Sequence, residues 1–268
     1  MERGQSQSRN IDIWLSDLKG TGFFPLTLNP AVEAFPVWSP DGSRVLFSSS
    51  RKGSLDLYQK LADGTGPEVP VLESSLPKYP WDWSSDGQFI CYAEQKEKPR
   101  NDFDLWILPL AGDRRPIPLL QTEFEEFEGQ FSPEAKGPPR WIAYTSTESG
   151  RDAVYVRGFP GQKGAGRKWV ISPDGGGDPR WRRDGRELFY VNANQEIVAV
   201  EVRTVASHER LDFEVGRAKT LFRIRYNAGG HFYNVSRDGQ RFLVNVIVEE
   251  TPPSPIIVVV NWAAGLRK

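Results

Sequence analysis

The side chains with chemistry to offer are few and widely spaced. The 268 residues hold two histidines, His208 and His231, and one cysteine, Cys91. A single thiol excludes an intrachain disulfide and a thiolate cluster. Cys91 lies between Ile90 and Tyr92 in an apolar run and reads as core. One Cys and two distant His do not have zinc-ligand spacing, and the acidic pair Asp82 and Asp86 has no EF-hand pattern. No Gly-x-Ser-x-Gly elbow is present to carry a serine nucleophile. A kinase would need a Gly-rich phosphate loop, a strand lysine, a catalytic-loop Asp and a metal-binding Asp-Phe-Gly, and these are absent too. Asp174-Gly175-Gly176-Gly177-Asp178 lacks the spacing of a phosphate cradle and reads as a loop. His208, beside Glu209, falls in an insertion and reads as exposed, whereas His231 opens a structural unit and is kept for a binding role.

Composition narrows the classes further. The formal net charge is -1, with 34 basic and 35 acidic residues, so no global field draws the chain to nucleic acid or an anionic membrane. The densest cationic group, Arg180, Arg182, Arg183 and Arg186, spans a strand and its turn and reads as a solvated edge. The 25 Gly and 21 Pro suit short strands and tight turns, and 12% aromatics exclude a disordered chain. No run is long enough to span a bilayer, and residues 1–10 are polar, without a signal-peptide core, and read as a disordered segment.

The elements that must position any site repeat. Ser39-Pro40-Asp41-Gly42, Ser84-Ser85-Asp86-Gly87, the stretched Ser132-Pro133-Glu134…Gly137, Arg182-Arg183-Asp184-Gly185 and Ser236-Arg237-Asp238-Gly239 are one turn copied. Their acidic positions, 41, 86, 134, 184 and 238, step by 45 to 54 residues. Pro presets φ, Asp bonds its own backbone, and Gly takes the left-handed conformation that closes a hairpin. An aromatic precedes four of the turns, at Trp38, Trp83, Phe131 and Trp181, and reads as a core plug between sheets. Around each turn the apolar alternation gives four short strands, such as 34–38, 44–49, 55–60 and 68–72 in the first complete unit. Segments 163–167, 204–216 and 249–254 read as loop insertions.

Four-stranded units repeated radially predict an all-β fold, a β-propeller of antiparallel blades, about five to six in number, forming one domain over residues 11–268. Two strands lead, four units of four follow, and three strands trail, the last at 256–262. That is one strand more than five closed blades need and three fewer than six need, so the ring is expected to be incomplete or open, the C-terminal part of a longer propeller.

The phrases Phe35-Pro36-Val37-Trp38-Ser39-Pro40-Asp41-Gly42 and Tyr79-Pro80-Trp81-Asp82-Trp83-Ser84-Ser85-Asp86-Gly87 resemble the WD-like repeats of TolB-type propellers. Val154-Tyr155-Val156-Arg157-Gly158-Phe159-Pro160, Pro179-Arg180-Trp181-Arg182-Arg183-Asp184-Gly185 and Asn261-Trp262-Ala263-Ala264-Gly265-Leu266-Arg267-Lys268 resemble the propellers that follow the kinase domain of bacterial membrane serine/threonine kinases. The resemblance implies a sensory or interaction module, extracytoplasmic when carried by a membrane-anchored parent; the polar N-terminus, with no signal-peptide core, gives a cytoplasmic expectation for the chain made as written.

In a propeller the loop entering each first strand lies near the axis. That places candidate ligand-binding residues at Glu33, Lys78, Tyr79, Glu125, Glu126, Glu128, Asp178, Arg180, Asn227 and His231. With Glu123, the glutamates would make one sector of the mouth acidic, suited to a cationic peptide end or a metal. The expected function is a non-catalytic scaffold binding a protein or peptide partner, without cofactor or resident metal, as a monomer, with no nucleic acid and no membrane insertion. The alternative is a propeller hydrolase or lyase with an axial active site.

Overall fold

The computed structural model describes residues 11–17, 22–96, 102–162, 166–206, 211–225 and 231–246. Asn227, His208 and the trailing strand expected at 256–262 lie outside them. Twenty strands form six antiparallel sheets among the described residues. The hairpin β1 (Trp14–Ser16) and β2 (Phe23–Pro25) comes first. Four complete blades follow. They are β3–β6 (Glu33–Trp38, Arg44–Ser49, Asp56–Leu61, Val69–Leu72) and β7–β10 (Lys78–Trp83, Phe89–Gln95, Phe103–Pro109, Ile117–Leu120). Next come β11–β14 (Glu126–Phe131, Trp141–Ser146, Ala153–Gly158, Lys168–Val170) and β15–β18 (Gly177–Trp181, Glu187–Val191, Glu196–Ala206, Leu211–Arg223). The hairpin β19 (Tyr233–Val235) and β20 (Phe242–Val244) ends the array. The first strands β3, β7, β11, β15 and β19 pack one against the next, which makes the array a β-propeller with those strands innermost.

Each second strand is nearly all buried because both faces of a blade meet a neighbour. Cys91, Ala93, Leu105 and Ile107 of the second blade share a core with Phe131, Ile142 and Tyr144 of the third. Trp141, Ala143 and Val154 of the third blade share another with Trp181, Leu188 and Val198 of the fourth.

The recurring turn closes the β-hairpin between the first two strands of each blade, as its residues predict. Gly42, Gly87, Gly185 and Gly239 take φ of 73°, 74°, 70° and 72°, a region that penalises any Cβ. Two expectations are corrected. Residues 204–206 and 211–216 of the expected insertion are strand and not loop: β17 and β18 run on as a paired ribbon past the blade. Its Phe213 packs edge-on to Trp141 and Trp181, and Trp141 Nε1 donates to Thr204 Oγ1 at 2.8 Å, so the extension covers the aromatic end of blades three and four. Trp38 is no core plug; it is 51% exposed, whereas Phe131 and Trp181 are buried as expected and Trp83 is partly buried. Trp38 lines the axial cavity described next.

Candidate functional site

The inner strands are bent at the axis by a shared device. The ladder slips between Ala34 and Val37 in β3, between Phe127 and Gln130 in β11 and between Gly177 and Arg180 in β15. Phe35, Glu128 and Asp178 sit in these bulges with φ of 57°, 59° and 53°. In β7 the slip falls between Pro80 and Asp82, with no positive φ because the proline ring forbids it. A bulge bends its strand and re-aims its side chains, and the repeated one places polar groups of successive blades side by side.

Those groups form a buried cluster. Glu128 Oε2 accepts from Thr145 Oγ1 at 2.6 Å and from the Asp178 main-chain N–H at 2.7 Å. Burial raises both carboxyls above the carboxylate range, and Asp178 is pushed further by the Glu128 charge, so ionising both together is disfavoured. Arg180, 5% exposed, sets Nη2 at 3.8 Å from Asp178 Oδ1 and at 3.1 Å from His231 Nδ1. A guanidinium only donates, so Nδ1 accepts and the ring proton sits on Nε2. Burial, and then the Arg180 charge, push the His231 pKa down to about 3, so the ring is neutral. The His231 ring meets Trp81 edge-on at 5.1 Å, and Tyr233 Oη donates to the Asp178 carbonyl at 2.7 Å.

Asp82 stands beside this cluster. Its Oδ2 accepts the Phe131 N–H at 2.7 Å, and burial raises its pKa to about 7 against those N–H bonds and the Arg180 charge. Gln130 Nε2 donates to the Trp81 carbonyl at 2.8 Å, and Trp181 Nε1 donates to the Gln130 carbonyl at 3.1 Å. The axis is therefore laced across blades two, three and four, and Arg180 and His231 extend the lacing to the last hairpin.

Over the cluster lies a cavity of about 860 Å³ at the end of the axis that carries the recurring turns. All five inner strands line it. Blades one and two contribute Pro36, Trp38, Pro40, Trp81 and Trp83, the third Gln130 and Pro133, the fourth Arg180 and Arg183, and the last hairpin His231, Arg237 and Leu243. Its wall mixes aromatic rings with a few convergent polar groups, and its volume lies within the range of small-molecule pockets.

The structure divides the ten residues picked out by strand position. Glu128, Asp178, Arg180 and His231 come together, and Arg180 and His231 reach the cavity. Glu33, Lys78 and Glu126 do not join them: each is fully or almost fully buried at the start of its strand and engaged in packing. Glu33 pairs with Arg51, Lys78 Nζ lies 3.0 Å from Asp56 Oδ1 and 2.6 Å from the Leu76 carbonyl, and Glu126 accepts from Thr122 Oγ1. Tyr79 lies in an aromatic row, edge-on to Phe35 at 5.0 Å and Phe103 at 5.3 Å. Glu125 is half-buried with a raised pKa, from burial first, and Glu123 is exposed. No group of three or more potential metal-binding His, Cys, Asp or Glu occurs among the described residues. Strand position alone did not pick out Asp82, Trp38, Arg183 and Arg237. The signal was present in the repeat, since Trp38 is a pre-turn aromatic itself and Asp82, Arg183 and Arg237 are one or two places from that position.

No protein-family model matches the chain, and no curated protein matches it. Solved structures do. TolB from Acinetobacter baumannii superposes with a TM-score of 0.62 at 14% identity, over 85% of this chain and 52% of that one. An oligogalacturonate lyase, solved in complex with manganese, superposes with a TM-score of 0.57 at 14% identity, over 90% of this chain and 65% of that one. The chain thus spans about half the length of the TolB chain it matches. At such identities the likeness is one of fold: the chain is a β-propeller of the kind found in TolB-like proteins.

Proposed function

We propose that the chain is a binding scaffold that takes a peptide or protein segment into its axial cavity. The observation that carries this reading is the cavity itself, about 860 Å³, to which every inner strand contributes, above a floor where the Asp178 N–H donates to Glu128 and Arg180 donates to His231. A propeller presents such a site without moving its backbone, because the wall is built of strands. The resemblance of the second half of the sequence to kinase-appended propellers supports a place as the sensory or interaction part of a bacterial signalling protein.

A second reading, an axial lyase or hydrolase, has one specific observation in its favour. Asp82, with a pKa near 7, lies in the cavity wall with Arg180 and His231, and a carboxyl of that kind serves proton transfer at neutral pH. One experiment separates the two. Tryptophan fluorescence of the chain is followed during titration with short peptides and with oligogalacturonate, and each mixture is then assayed for product. Peptide binding that shifts the emission, is weakened about tenfold or more by Trp38→Ala and yields no product supports the scaffold. Turnover that disappears in Asp82→Asn overturns it in favour of the enzyme.

A further inference from the structure

The cavity is not chemically uniform around its wall. Trp38 and Trp83 face it from the first two blades, and Leu243, 67% exposed, faces it from the last hairpin. Arg180, Arg183 and Arg237 face it from the fourth blade and that same hairpin. Arg183 and Arg237 occupy the same place in their turns, where the other blades carry Pro40, Ser85 and Pro133. Both are exposed, and neither is ion-paired with a described residue; Arg182, next in sequence, is held by Glu187 at 2.9 Å. Asp82 is the one carboxylate among the cavity-lining residues described. The lining therefore joins an apolar indole side to a side with three guanidinium groups.

Resting on the reading of the axial cavity as a binding site, we propose that its ligand is the free C-terminus of a peptide ending in an apolar or aromatic residue. The terminal carboxylate meets Arg183 and Arg237, and the last side chain lies on Trp38 and Leu243. A guanidinium binds a carboxylate through two parallel N–H donors, which a point cation cannot match. Arg180, buried beneath, adds positive potential where the anion comes to rest. An acidic sugar shares the anionic chemistry. The lining favours the peptide, because an exposed leucine and proline rings offer a sugar no hydrogen bond and a peptide side chain a dry surface.

The test uses the full chain and fluorescein-labelled pentapeptides ending in Phe, Trp, Leu or Lys, each made with a free carboxylate and as the carboxamide. Anisotropy reads affinity and tryptophan emission reports occupancy of the cavity. We expect the Phe, Trp and Leu carboxylates to bind about tenfold or more tighter than their amides, an advantage that salt erodes. Arg183→Ala with Arg237→Ala removes that advantage and leaves amide binding and thermal stability unchanged, since both side chains are exposed. Equal binding of acid and amide, with the emission still perturbed, overturns the carboxylate assignment while leaving the axial site standing. Absence of binding by all eight peptides overturns both. Tight binding of digalacturonate in place of the peptides overturns the peptide assignment.

Discussion

Two residues of the axis titrate in opposite senses, and their signs can be read in stability. Asp82 has a folded pKa of about 7 against an ordinary 3.8, so as pH rises the unfolded chain loses its proton first. Stability falls between about pH 4 and 7 and stays at the lower level above. His231 has a folded pKa of about 3 against an ordinary 6.5, so as pH falls the unfolded chain gains its proton first. That contribution is whole above about pH 6.5 and is lost towards pH 3. Asp82→Asn keeps an oxygen to accept the Phe131 N–H and removes the first effect. Its melting temperature should exceed that of the parent at about pH 8 and approach it at about pH 4. His231→Gln should weaken the chain at neutral pH yet flatten its decline between about pH 6.5 and 4. Melts of the three proteins at about pH 4, 6 and 8 check both, and a pH-independent gap for Asp82→Asn would mean that Asp82 titrates as an ordinary aspartate. At this scale the sequence was half legible. Strand position put Arg180 and His231 near the axis, and both line the cavity. Glu33, Lys78 and Glu126 stand apart from the cluster, since their partners Arg51, Asp56 and Thr122 lie in neighbouring loops and strands that no local pattern reveals.

At the scale of the element, the turn uses one more group than its Pro, Asp and Gly. Ser84 Oγ donates to Asp86 Oδ1 at 2.6 Å and accepts the Phe89 N–H at 2.9 Å, while Asp86 Oδ1 takes the Gln88 N–H at 3.1 Å. Ser39 and Ser236 repeat the arrangement, with Arg44 N–H and Arg241 N–H each donating at 2.9 Å. Ser132 does the same across the stretched turn, accepting from Trp141 N–H at 3.0 Å. The serine is thus the hinge pin of the hairpin, bonded to the turn on one side and to the second strand on the other. The fourth blade has Arg182 in its place and uses an ion pair to Glu187 at 2.9 Å. Ser84→Ala should cost about 1–2 kcal/mol, because the Phe89 N–H loses its acceptor beside a buried strand. Denaturant unfolding of Ser84→Ala and Ser84→Thr checks this: the midpoint falls for Ala and is restored by the hydroxyl of Thr, and equal loss in both would place the defect in packing. The turn was legible because its residues are local. The β17–β18 ribbon was not, because polar Thr204, Glu214 and Arg217 hide an alternation held by Trp141 and Trp181 from elsewhere in the chain.

At the scale of the whole molecule, stability resides between blades. The most exposed large apolar side chains, Leu28, Phe23, Leu243 and Trp14, lie in or beside the two-stranded end sheets, and the outer strands expose Val69, Ile117 and Val170, whereas the second strands of the four complete blades are closed on both faces. In an array of this kind each unit is stabilised mainly by its neighbours. The fit between the second and third blades is especially close at one point. A Cβ added to Gly129 of β11 would stand 2.4 Å from Cys91 Sγ and 3.3 Å from Leu105 Cδ2 of the blade before. Cys91 is fully buried and its thiol is pushed well up by burial, so its role is volume, and glycine at 129 is the matching absence of volume. Gly129→Ala should therefore destabilise the chain by about 1–3 kcal/mol through overpacking. Cys91→Ala alone should cost about 1–2 kcal/mol through the lost sulfur contacts. Because the two changes meet at one contact, their effects should not add: the double variant should be more stable than the sum predicts by about 1 kcal/mol or more. A double-mutant cycle by denaturant unfolding measures this directly. Additive losses would mean that the blades accommodate the methyl by sliding, and that the inner strands are less rigidly stacked than the axial cavity requires.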